Sequence, residues 1–124
     1  MAALLHLEPF NAPFQVTTCP KECNKRLMAA GYMPDKSAPR GAVYRLDNTE
    51  GDVAFMVYLP KERDEAVLYH EATHLAMYMM THHGVPVSEF NQEIICYLQE
   101  HAARLMDAAC YAQGNRTSTK RGVK

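Results

Sequence analysis

The chain predicts an α+β fold in which a short antiparallel β-sheet packs on two long helices lying antiparallel to each other. Three observations carry this expectation. Residues 42–46 and 53–59 are apolar runs of strand character on either side of the turn-forming segment 47–52, which reads as a hairpin. Residues 64–83 and 88–112 carry apolar side chains at helical spacing. Only residues 84–87 join these two helical runs, so they must double back on each other.

Before the hairpin, residues 8–18 are extended in character, and a short edge strand is expected at 14–17, with Pro9 and Pro13 limiting ladder bonds at its start. Thr18 is the expected cap of a helix beginning at Pro20 and stopping at Gly31 and Pro34. Residues 34–41 are rich in proline and charge and read as a surface loop, and Pro60 ends the second hairpin strand. Asp64 caps the next helix, with Glu65 in its first turn where an anion suits the helix dipole. Val67, Leu68, Ala72, Leu75, Ala76, Met79 and Met80 cover so wide an arc of it that burial is expected, with His70 and His74 among them. Gly84 and Pro86 supply the stop. Ser88 is the expected cap of the last helix, 89 to about 112, which carries Phe90, Ile94, Ile95, Leu98, Ala102, Leu105, Met106 and Ala109.

The 124 residues suit one domain, taken as residues 1–113, followed by a basic tail 114–124 expected to be disordered, with a nucleic-acid arm as the alternative reading. A formal net charge of −1 argues against nucleic acid as the dominant partner. No apolar run is long enough to span a bilayer, and the first residues lack the basic start of a secretory signal. Four scattered cysteines do not make a disulfide framework, so a reducing cytoplasm is the expected location. Cys19 and Cys23 have metal-compatible spacing but read by default as buried thiols, and the eight methionines as fillers of an aliphatic core.

The chemistry concentrates at His70-Glu71-Ala72-Thr73-His74. Residues i and i+4 of a helix stack one turn apart on one face, so both imidazoles can reach a single cation. Glu71 is displaced by about 100° around the helix, close enough to take a proton from a nearby water without becoming a ligand. This H-E-x-x-H pattern is that of a Zn2+ site with a glutamate general base. A third ligand is then needed, and the last helix offers Glu89, Glu93 and Glu100.

Residues 75–92 separate His74 from Glu93, and with this gap the chain resembles the gluzincins, HExxH zinc metallopeptidases whose third ligand is a glutamate on the next helix. Within that group it is similar to the small single-domain proteins encoded by bacteria and their phages. The resemblance covers roughly residues 53–105, and Asn91 stands one place further from the glutamate than the family's asparagine does. It implies a zincin-like core, Zn2+ held by His70, His74 and Glu93, and hydrolysis of a peptide or protein substrate with Glu71 as general base. It further implies that an upstream strand, here 53–59, pairs with an extended peptide. Tyr97, one turn after Glu93, is read either as a core tyrosine or as a catalytic residue that orients the glutamate or donates to an oxyanion, with His82 and His83 as other possible donors.

Helix geometry does not favour Glu93 as clearly. His74 to His83 climbs about 13 Å and Ser88 to Glu93 descends only about 8 Å, so straight parallel helices would bring Tyr97 or Glu100 nearer the level of the histidines. His82 and His83 lie about 12–13 Å beyond His74 on one helix, too far to share its cation unless the helix breaks. Two other readings stand beside the enzyme: a zinc-stabilised protein-binding module acting on a host or regulatory protein, and a metal-free helix whose histidines serve packing.

Overall fold

The computed structural model describes residues 2–35, 39–47 and 53–122, with side chains as far as Tyr111, those of Asp47 and Val53 excepted. Four strands, β1 (Ala3–Leu7), β2 (Ala12–Thr17), β3 (Ala42–Asp47) and β4 (Val53–Tyr58), form one sheet in the order β1-β2-β4-β3. The helices are α1 (Pro20–Ala29), α2 (Glu65–His82) and α3 (Gln92–Gly122), so the class is α+β. The tail expected from residue 114 lies outside the described side chains, as does the turn expected at 48–52.

The hairpin of β3 and β4 is antiparallel, with Ala42 opposite Tyr58 and Asp47 opposite Val53. β2 pairs β1 antiparallel and β4 parallel. Two expectations change here. The sheet is mixed rather than wholly antiparallel, and β2 is an inner strand rather than an edge. The parallel β2–β4 pairing makes the sheet mixed, and β2 is inner because of β1, an unforeseen strand whose ladder runs from Ala3 opposite Val16 to Leu7 opposite Ala12. Asn11 turns the chain between them at φ 51, a conformation asparagine tolerates better than most residues.

Period-two alternation sorts the sheet's two faces. Phe14, Val16, Phe55 and Val57 point to the main core with Leu68, Leu75, Met79 and Met80 of α2 and Leu98, Ala102 and Met106 of α3. Met56 and Leu46 point the other way, under Cys23 and Leu27 of α1. Each fully buried Leu or Met contributes about 1.5–3 kcal/mol of burial free energy.

Helix boundaries follow local chemistry. Pro20 opens α1, but the cap position is Cys19 rather than Thr18, and no side chain caps it. Thr17 Oγ1 instead accepts from the Cys19 N–H at 3.1 Å. Gly31, at φ 90, follows the last turn of α1 as expected. Asp64 caps α2 as the sequence indicates, its carboxylate accepting from the Val67 N–H at 3.2 Å. Ser88 does not cap α3 with its side chain; a 3-10 turn, Glu89–Asn91, intervenes.

Three side-chain bonds fix how α2 and α3 lie together. Gln99 donates to Thr73 Oγ1 at 2.8 Å, Arg63 just before α2 donates to Asp107 at 2.7 Å, and the Tyr111 hydroxyl donates to the Pro60 carbonyl. The helices are antiparallel.

Candidate metal centre

Helix α2 turns Leu68, Ala72, Leu75, Ala76, Met79 and Met80 to the core, which leaves His70 and His74 on its open face. The expectation that these rings are buried is therefore corrected. The apolar arc is wide, but the exposed sector between Tyr69 and Tyr78 is where both histidines fall. No burial cost obliges them to find a partner. What the structure offers instead is convergence: the two Nε2 atoms stand 3.2 Å apart, with the rings at 74° to each other. Two nitrogens on one tetrahedral zinc, each at about 2.0–2.1 Å, are separated by roughly 3.3 Å. The pair fits two positions of such a site.

Glu71 is the buried member of the motif, 5 % exposed. Burial raises its carboxyl above the ordinary range, while the charges of His70 and His74 pull it back down. Its neighbour is Gly41, at the entry to β3. A methyl group there would lie 2.7 Å from Val67 Cγ1, 3.0 Å from Glu71 Cγ and 3.1 Å from Glu71 Oε2. Only a residue without Cβ lets the chain pass this close. Arg40, one residue earlier, forms an ion pair with the capping carboxylate Asp64. Arg40, Gly41, Ala66, Val67, His70 and Glu71 line an open recess of about 310 Å3. Arg40 and Gly41 were not singled out from sequence; a glycine immediately before a strand is the one signal that could have marked the close approach.

The last helix presents a second recess, about 370 Å3, lined by Tyr69, Glu93, Cys96, Tyr97, Gln99 and Glu100. Glu93 and Glu100 are both exposed there, and Glu100 makes an exposed ion pair to Arg104 at 3.5 Å. Tyr97 is half exposed and stacks on His101 at 5.7 Å, which removes it from the core where a tyrosine of this kind most often sits. Among the described residues, no three His, Cys, Asp or Glu side chains stand together as a complete metal-holding group. The structure brings the His70 and His74 rings together, lines one recess with His70 and Glu71, and places Glu93 and Tyr97 on the neighbouring helix.

Elsewhere, His83 bonds the Met79 carbonyl through Nδ1 at 2.8 Å and stacks flat on Phe10 at 4.3 Å, while His82 meets Phe55 edge-on at 5.8 Å. These contacts belong to the end of α2. Cys19 is exposed and Cys23 is buried, both as free thiols. Strand β4, expected to face a peptide, is paired on both sides; β3 is the sheet edge next to Glu71. No helix among the described residues is long and apolar enough to cross a membrane. No family model, curated protein or solved structure matches the chain.

Proposed function

We propose that the chain is a zinc-dependent peptide hydrolase with a small zincin-like core made of the sheet, α2 and α3. The observation that carries this reading is the pair of imidazole nitrogens 3.2 Å apart on an exposed helix face, with Glu71 lining the same recess as His70. His70 and His74 would hold the cation, with a carboxylate from the outer face of α3 as third ligand. Zinc, when bound, supplies the Lewis acidity that makes water nucleophilic at neutral pH and polarises a carbonyl. Glu71 accepts the proton released and passes it to the leaving amine. Its largely buried position, which raises the carboxyl above the ordinary range, supports that role. The open edge of β3 gives an extended peptide a place to add as a further strand alongside Glu71.

A second reading keeps the zinc without the hydrolysis. The exposed apolar side chains of Phe90, Ile94 and Tyr97 favour a protein-binding module. One experiment separates the two. Zinc-loaded wild type and Glu71→Gln are incubated with a mixed peptide library and the products read by mass spectrometry. The enzyme reading expects new termini with the wild type and their loss in the variant at unchanged zinc content. Equal cleavage by both proteins, or none by the zinc-loaded wild type, contradicts it.

A further inference from the structure

We infer that the recess beside His70 and Glu71 selects peptides that carry a carboxylate close to the cleaved bond, with Arg40 as the residue that receives it. This rests on the hydrolase reading above and names its substrate class. Arg40, Gly41, Ala66, Val67, His70 and Glu71 line one open recess, so the guanidinium shares its walls with an imidazole and with the proposed base. The two opposite charges among them are presented differently. Glu71 is 5 % exposed, whereas the Arg40 side chain is 70 % exposed. An incoming ligand therefore meets the cation first.

Arg40 is also held in place. One of its Nη atoms donates to the Asp64 carboxylate, the cap of α2. A guanidinium has five N–H donors in a planar fork, so a second carboxylate can bind along another edge. Anchoring one edge beforehand lowers the entropy lost when that second carboxylate arrives. The Asp64 charge offsets part of the attraction, so the selectivity is moderate and comes from the geometry of the fork.

Chain path gives the distance between this cation and the chemistry. Gly41 and Arg40 directly precede β3, whose outer edge is the open one next to Glu71. A peptide added along that edge passes Glu71 where Gly41 approaches it and then reaches Arg40. Strand residues advance about 3.3 Å each, which puts the carboxylate within about three residues of the cleaved bond. An acidic side chain or a free C-terminus supplies the same group at that reach. The buried Glu71 carboxylate repels an anion placed any closer, which keeps the ligand's charge at the Arg40 end.

The test uses four matched peptide sets: acidic side chains with amidated C-termini, neutral side chains with free C-termini, neutral with amidated, and lysine-bearing with amidated. Cleavage is measured as kcat/KM with zinc-loaded wild type, Arg40→Gln, Arg40→Glu and Lys25→Gln. Lys25 is exposed on α1, across the sheet, and controls for loss of one positive charge. Each protein is read as the ratio of carboxylate-bearing to neutral amidated peptide, so a general loss of activity cancels. The expected ratio is about fivefold or more in the wild type and Lys25→Gln, and near one in Arg40→Gln, with lysine peptides preferred by Arg40→Glu. Preference confined to the acidic or to the free-terminus set identifies the carboxylate's source, and either supports the inference. A wild-type ratio near one, a ratio that survives Arg40→Gln, or one lost equally in Lys25→Gln overturns it. Calorimetry of the same sets on zinc-loaded Glu71→Gln, with and without Arg40→Gln, separates the two readings. Arg40-dependent selectivity in binding without cleavage by the wild type supports the carboxylate site and removes the hydrolase. Cleavage without selectivity does the reverse, and the absence of both overturns both.

Discussion

Glu71 and Gly41 form the contact on which the proposed chemistry turns. A carboxylate so nearly buried holds its place only because the opposing backbone has no side chain. Gly41→Ala forces the new methyl into Val67 and Glu71, and a small overpacking of this kind costs about 1–3 kcal/mol. Chemical denaturation should therefore show a lowered midpoint with an unchanged slope, while His70 and His74, which do not touch Gly41 in this contact, keep the cation. A variant as stable as the wild type would mean that the strand entry is loose. Glu71→Gln preserves size and removes the proton acceptor, so hydrolysis of any substrate found should fall by about 10²-fold or more. Steady-state assays at equal zinc loading measure it, and full activity in the variant would remove Glu71 from the general-base role. The H-E-x-x-H spacing was legible in the sequence because it is local. The exposure of its histidines was not, since a wide apolar arc does not tell which sector of the helix stays open.

Helix and strand boundaries set by short-range chemistry were the most legible elements. Asp64 caps α2 and Gly31 follows α1, each where the residue type alone puts it. The hydrogen bond from Arg40, with the Val67 N–H second among the favourable contacts, holds the Asp64 carboxyl below its ordinary range. A carboxyl lowered in the folded state contributes stability above its unfolded value, around pH 4, and that contribution is lost as pH falls through the lowered folded value. Asp64→Ala should accordingly melt below the wild type at neutral pH, with the gap closing in acid. A gap of constant size across that range would contradict the assignment. Helix α1 makes a different prediction. Burial, with the Asp35 charge second, pushes the Cys23 thiol up to about 11, whereas Cys19 and Cys96 are exposed. Alkylation of native protein near neutral pH should label Cys19 and Cys96 quickly and Cys23 only on unfolding. Mass mapping of the labelled peptides checks it, and rapid labelling of Cys23 would show that α1 does not seal its side of the sheet.

At the scale of the whole molecule, one sheet separates a large core under α2 and α3 from a small one under α1. The class was legible from the hairpin and the two long helices, but strand order was not. β2 runs parallel to β4, with Gln15 opposite Met56, and a pairing between segments so far apart in the chain leaves no local mark. That is also why β4 could be taken for a peptide-facing strand when β3 holds the edge. The α2–α3 seam should dominate stability. Leu98 is fully buried in it, and Leu98→Ala should cost about 2–5 kcal/mol in reversible denaturation. A cost below about 1 kcal/mol would mean that α3 docks loosely.

Everything proposed for function depends on whether His70 and His74 hold a cation together. The direct measurement is zinc per chain, by elemental analysis of untagged protein offered excess zinc and then dialysed, for the wild type and for His70→Ala and His74→Ala. About one zinc in the wild type, lost in either variant, is the result expected. A wild type without zinc, or variants that keep it, would leave the 3.2 Å approach of the two rings as a surface contact and end the metal reading of this helix.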